Sequence, residues 1–229
     1  TVDDARLQAG ESQLALAGTV ERNGAQLTAL KLSKGETVRL ALGQPASVRV
    51  APTFEMGPLE LAGGGSTLNA TATMGASVRV SLAVHDFSSV WLADFVTLAG
   101  PEWRVQSLAA KGEWGRGTLT FDADGELTVT LAPERFASIS IKARSAQAAI
   151  EVESLRVAEG EAPIVTASGR LPLTLQPQGP AFVQIEPDGP LELSASTTSN
   201  PIFWQKLAET TGLTFEEPEA TLTLTGTWT

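Results

Sequence analysis

Apolar and polar residues alternate one by one through much of this chain. The pattern appears in SQLALAGTV (Leu14, Leu16), TVRLAL (Val38, Leu40, Leu42) and SVRVSLAV (Val78, Val80, Leu82, Val84). It returns in ELTVTLA (Leu127, Val129, Leu131), SISIKA (Ile139, Ile141), LPLTL (Leu171, Leu173, Leu175), LELSAS (Leu191, Leu193) and the closing TLTLTGTWT (Leu222, Leu224). A period of two means strands with one apolar and one wet face, and the outward Ser, Thr, Arg, Glu and Gln suit an antiparallel sheet solvated on one side. Arg22-Asn23-Gly24, Lys34-Gly35, Gly63-Gly64-Gly65-Ser66, Asp122-Ala123-Asp124-Gly125 and Pro187-Asp188-Gly189-Pro190 read as the turns between runs.

Two stretches leave the pattern. HDFSSVWLADFVTLAG places Phe87, Val90, Trp91 and Phe95 near helical spacing and predicts a helix over 86–99, with Asp86 as N-cap and Gly100 as stop. SNPIFWQKLAETTG predicts a second helix over 200–211. Ser199 or Asn200 is its cap, Pro201 its first residue and Gly212 its stop, with Phe203, Trp204 and Leu207 free to pack. The order of features repeats. Gly10-Glu11 precedes a strand ending at Gly18, as Gly160-Glu161 precedes one ending at Gly169. Each helix is followed by a Gly-x-Trp strand, Gly112 with Trp114 and Gly226 with Trp228. The expected organisation is therefore two repeats, 1–115 and 116–229, in one continuous domain that opens at TVDD like a piece of a longer chain.

Composition narrows the function classes. The 229 residues are 42% hydrophobic and 18% charged, which is globular rather than disordered. With no Cys and one His, His85, the chain builds no disulfide, thiol nucleophile or multi-His metal site by itself. A net charge of −10 opposes nucleic acid and anionic surfaces as partners, so the surface of interest should be apolar. No cofactor is expected.

The chemical motifs weigh towards structural roles. Asp122, Asp124 and Glu126 in DADGE resemble the front of a calcium loop, but lack its later ligands and flanking helices, and read as a hairpin turn. His85-Asp86 has no G-x-S-x-G to complete a triad. Glu216, Glu217 and Glu219 in EEPE read as a solvated loop, and the glycines of WGRGT as a bend. Trp91, Trp103, Trp114, Trp204 and Trp228 could form sugar platforms, but their places in the repeated units favour packing of helix against sheet.

The segments AGESQLALAGTV, DFSSVWLADFVTLAG, LRVAEGEAPIVTASGRLPLTL and NPIFWQKLAETTGLTFEEPEATLTLTGTW together resemble the TamB/AsmA-like family of Gram-negative envelope proteins. That resemblance implies an all-β fold: an elongated, curled antiparallel sheet, or β-taco, forming an open hydrophobic groove, here with two short amphipathic helices. It implies a periplasmic segment of a protein anchored to the inner membrane, with phospholipid acyl chains in the groove. The work implied is phospholipid transport or outer-membrane biogenesis, alongside a BamA-like barrel. The alternating apolar residues named above are the expected groove lining; Phe87, Trp91, Phe95, Phe203, Trp204 and Leu207 are the expected helix contacts. A carbohydrate-binding β-sandwich and a structural adhesin-like repeat remain as alternatives. The first requires exposed Trp over a closed core, the second polar residues on both faces.

Overall fold

The computed structural model describes residues 2–50, 53–97, 101–115, 117–133, 135–177, 181–199, 201–214 and 219–227. The fold is all-β and antiparallel throughout. It forms two compact units, residues 1–99 with 104–115, and residues 100–103 with 116–229.

The first unit carries β1 (Val2–Ala9), β2 (Ser12–Glu21), β3 (Gly24–Lys34), β4 (Thr37–Leu42), β5 (Ala46–Arg49), β6 (Phe54–Gly63), β7 (Ser66–Met74), β8 (Val78–Ser88) and β9 (Trp103–Trp114). Strands adjacent in sequence pair as neighbours, except that β4 and β5 share one rung between β3 and β6. That rung is interrupted at Gly43-Gln44-Pro45, where proline cannot donate to a ladder.

The predicted helix over 86–99 is corrected by the structure. Strand β8 runs on to Ser88, with Phe87 opposite Val105 and Ser88 opposite Arg104. A single 3₁₀ turn, Ser89–Trp91, follows, and its cap is Ser88, whose hydroxyl accepts from the Val90 amide. Asp86 caps nothing; it sits at φ 55° with its carboxylate on Arg104. Continued pairing of β8 with β9 holds Phe87 and Ser88 in the strand, and Val90 and Val96 add β-branched stiffness against a helix. Residues 98–100, including Gly100, lie outside the described residues.

This turn segment shows that the first sheet curls. Asp94 accepts a hydrogen bond from Ser12 Oγ (2.6 Å) and from Lys34 Nζ (3.2 Å). Ser12 lies on β2, five strands from β8, or about 24 Å across a flat sheet. The wound segment from Ser88 to Asp94 advances about 2 Å per residue, roughly 12 Å, and two short side chains add only a few ångström. The sheet must bend to bring β2 within its reach.

The second unit carries β10 (Thr120–Ala132), β11 (Arg135–Ala146), β12 (Ala149–Glu159), β13 (Ala162–Leu171), β14 (Leu173–Leu175), β15 (Val183–Ile185), β16 (Leu191–Thr197), the helix α1 (Pro201–Thr211) and β17 (Ala220–Gly226). The order is β10-β11-β12-β13-β16-β17, with β14 and β15 a separate hairpin. The helix matches its predicted extent: the Gly212 amide donates to Ala208 O at φ +72°, and α1 lies against β10. Its proposed cap Asn200 and the side chain of Phe203 lie outside the described residues.

The Asp122-Ala123-Asp124-Gly125 turn is also corrected. These residues lie inside β10, because the inward series Phe121, Ala123, Gly125, Leu127 and Val129 continues through them. The acids take the outward positions, Asp122 opposite Arg144 and Asp124 opposite Lys142. The actual β11–β12 turn is Gln147-Ala148, with φ values of 38° and 58° and no glycine. At Gly169 the backbones of β13 and β16 approach so closely that a methyl group would meet Glu192 O at 2.1 Å.

Candidate functional site: the apolar faces of the two sheets

Directly paired residues point to the same face, so register converts the alternation into rows. In the first unit one row is Leu7-Leu14-Leu32-Leu40, and another is Leu42-Leu61-Leu68-Val84-Leu108. Leu16 pairs with Leu30, and Leu82 lies between Ala70 and Ala110. Val80 lies between Ala72 and Gly112, and Val78 between Met74 and Trp114. The opposite face reads Thr67-His85-Ser107 and Thr73-Arg79-Glu113.

In the second unit the rows are Leu127-Ile139-Val157-Val165, Gly125-Ile141-Leu155-Ala167-Ala195-Leu222 and Ala123-Ala143-Val152-Gly169-Leu193-Leu224. Val129 faces Ala137, Leu171 faces Ile150, and Leu191 faces Gly226. Leu131 sits at the bulge that ends β10.

Three predicted lining residues fall elsewhere. A β-bulge in β4 sets Val38 opposite Ser33 rather than in the leucine row. Pro172 breaks the ladder after Leu171, so Leu173 and Leu175 pair with Ile185 and Val183 in the small hairpin, where Thr174 is the buried residue. Other row members, such as Leu27 with Leu30, Met56 with Leu59, and Val152 with Leu155, flank bulges that reverse parity and hide them from a period-two reading.

Protein covers these faces only in part. Among the described residues the buried apolar side chains larger than alanine are Leu32, Leu40, Leu61, Val78, Ile164, Pro172 and Leu191. Leu82 is 36% exposed, Ile141 41%, Leu224 41% and Leu222 46%. A cluster of buried leucines, Leu32 with Leu40 and Leu61, lies where Phe87, Trp91 and Phe95 fold onto it. Phe87 and Trp91 meet edge to face at 5.3 Å. The aromatic spacing thus marked a real contact, made by a turn rather than a helix. In the second unit Trp204 and Leu207 of α1 are half-buried, and the Trp204 indole donates to Thr198 O. Trp103 and Trp114 are half-buried; Trp228 lies outside the described residues, as do Glu216 and Glu217.

The wet face is laced with charge. Glu151 takes Arg144 Nη2 at 2.9 Å and Arg170 Nη1 at 2.8 Å, and Lys142 Nζ meets Glu153 at 2.7 Å. The Lys142 hydrogen bond holds the Glu153 carboxyl below its ordinary range. In the first unit the Ser12 hydroxyl, then Lys34, does the same for Asp94, and Arg104 does so for Asp86. His85 faces Thr67 and Ser107, and the neighbouring Asp86 carboxylate is held by Arg104. No helix among the described residues is long and apolar enough to cross a membrane. Comparison with protein-family models, with curated proteins and with solved structures finds no match to this chain.

Proposed function

We propose that the apolar sheet faces form a non-enzymatic groove for lipid acyl chains, a segment of a periplasmic conduit of the TamB/AsmA-like kind in phospholipid transport or outer-membrane biogenesis. One observation carries this reading: cross-strand rows of Leu, Ile and Val stand together on one face while individual members stay more than a third exposed. A face of that kind needs an apolar cover, and an acyl chain supplies one without hydrogen-bonding demands. Burying about 15 methylenes gains roughly 12 kcal/mol relative to water. The bilayer that a lipid leaves offers about the same, so net transfer is near neutral and the chain can move on. A sugar-binding sandwich is less well served, since the four described tryptophans are half-buried and buried side chains are few. An adhesin-like repeat with two polar faces does not account for the rows.

The test is lipid mass spectrometry on protein purified without detergent, against an unrelated globular protein handled identically. Co-purified phospholipid is expected, and Leu82→Asp with Ile141→Asp should remove most of it while circular dichroism stays unchanged. Lipid-free protein with a cooperative fold would overturn the proposal.

A further inference from the structure

Arg39 is skipped inside the ladder of β4 with β3: Leu40 pairs with Leu32 and Val38 with Ser33, leaving it without a partner residue on β3. The bulge turns Arg39 into a cleft of about 440 Å³ whose wall includes Leu32, Lys34, Ser88, Trp91 and Arg104. Its Nε is closed off from solvent and has no hydrogen-bond partner. No ion pair is formed by its guanidinium among the described residues.

This is unusual in a chain of net charge −10, where acids outnumber bases. One carboxylate, Asp86, stands in the cleft wall itself and is matched by Arg104, while Asp94 takes Ser12 and Lys34. An unpaired, partly buried guanidinium costs stability, so the arrangement makes sense if an anion completes it. The cleft's apolar wall, Leu32 and Trp91, belongs to the same leucine row and aromatic cover as the lipid-binding face. We infer that this cleft holds the oxyanion headgroup of an acyl-chain amphiphile. Arg39 grips the oxyanion, the Ser88 hydroxyl donates to it, and the chain runs from Leu32 along the apolar face. This rests on the acyl-chain reading above and adds a polarity to it, since the lipid would sit with its head at the Arg39 end.

Calorimetric titration with three probes separates the two ideas: dihexanoyl phosphatidic acid below its micellar concentration, dihexanoylglycerol, and inorganic phosphate. The phosphatidic acid should bind at least about tenfold tighter than the neutral lipid, a difference of 1.4 kcal/mol. Arg39→Met, which keeps the aliphatic stem, should erase that preference, leave dihexanoylglycerol binding unchanged and raise Tm. Arg39→Lys, a point charge without the fork, should retain part of the preference. Equal binding of the two lipids would overturn the headgroup site while leaving the groove intact. Phosphate binding as tightly as phosphatidic acid would show a free-anion site and overturn the amphiphile assignment. No binding of either lipid would sink both.

Discussion

Single residues set the fold's weak and rigid points. Ala148 holds φ 58° in a turn that suits glycine, a conformation costing an L-residue about 1–2 kcal/mol. Ala148→Gly should therefore stabilise the protein by up to about 1 kcal/mol in urea unfolding, after the loss of chain entropy is subtracted. A lower midpoint would show that the turn does not carry that strain. Gly169 is the reverse case, since no side chain fits against Glu192 O. Gly169→Ala should cost more than about 2 kcal/mol or displace β16 from β13. Both positions show what a sequence conceals: Gly169 reads there as the end of a strand, yet it lies inside β13, which runs on to Leu171, and its contact with a neighbour 23 residues away is not legible. Val38 was legible as a strand residue, but the bulge that turned it from the row was not.

At the scale of elements, alternation located the strands well because each has one face to hide and one to wet. It misread elements where another demand prevailed. Cross-strand cations drew Asp122 and Asp124 into β10, and pairing with β9 kept Phe87 and Ser88 in the strand against a helical spacing. The turn segment over Leu32, Leu40 and Leu61 is fastened by the Asp94 carboxylate. Its folded pKa lies below the ordinary value, so the stability it contributes is present above the ordinary carboxyl range and is lost as pH falls through the depressed folded value. Hydrogen exchange over residues 89–97 should be faster in Asp94→Ala than in the wild type at pH 7. That difference should shrink below pH ~4. Identical exchange at neutral pH would show that the aromatic contacts hold the segment alone.

At the scale of the molecule, the small amount of buried apolar surface has a calorimetric signature. A compact chain of 229 residues unfolds with a heat-capacity change of roughly 3 kcal/mol/K, at about 12–15 cal/mol/K per residue. This protein should fall clearly below that value. A native-state apolar dye should bind and be displaced by phosphatidic acid; a full-sized heat-capacity change with no dye binding would mean that the faces are covered. The all-β class was legible at this scale from repeated alternation and turn signals. The candidate site was legible only as a list of apolar positions, because register, not sequence, aligns Leu14 with Leu32 and Leu40, and Leu193 with Leu224.

The pairing order has a further consequence, for how the chain comes to be folded. From β6 to β9, and again from β10 to β13, every strand pairs with the next one along the chain through a short connection or, between β8 and β9, a longer one. Loop closure is therefore brief at most steps, and each new hairpin can zip onto the last as synthesis delivers it. Through those runs the growing edge is the newest strand, which the next one covers, while β1 keeps the other edge of the sheet open. The return of β16 to β13 across the β14–β15 hairpin, and of β17 to β16 across α1, must wait for more distant partners. Slowing those closures is where a kinetic delay in folding would arise.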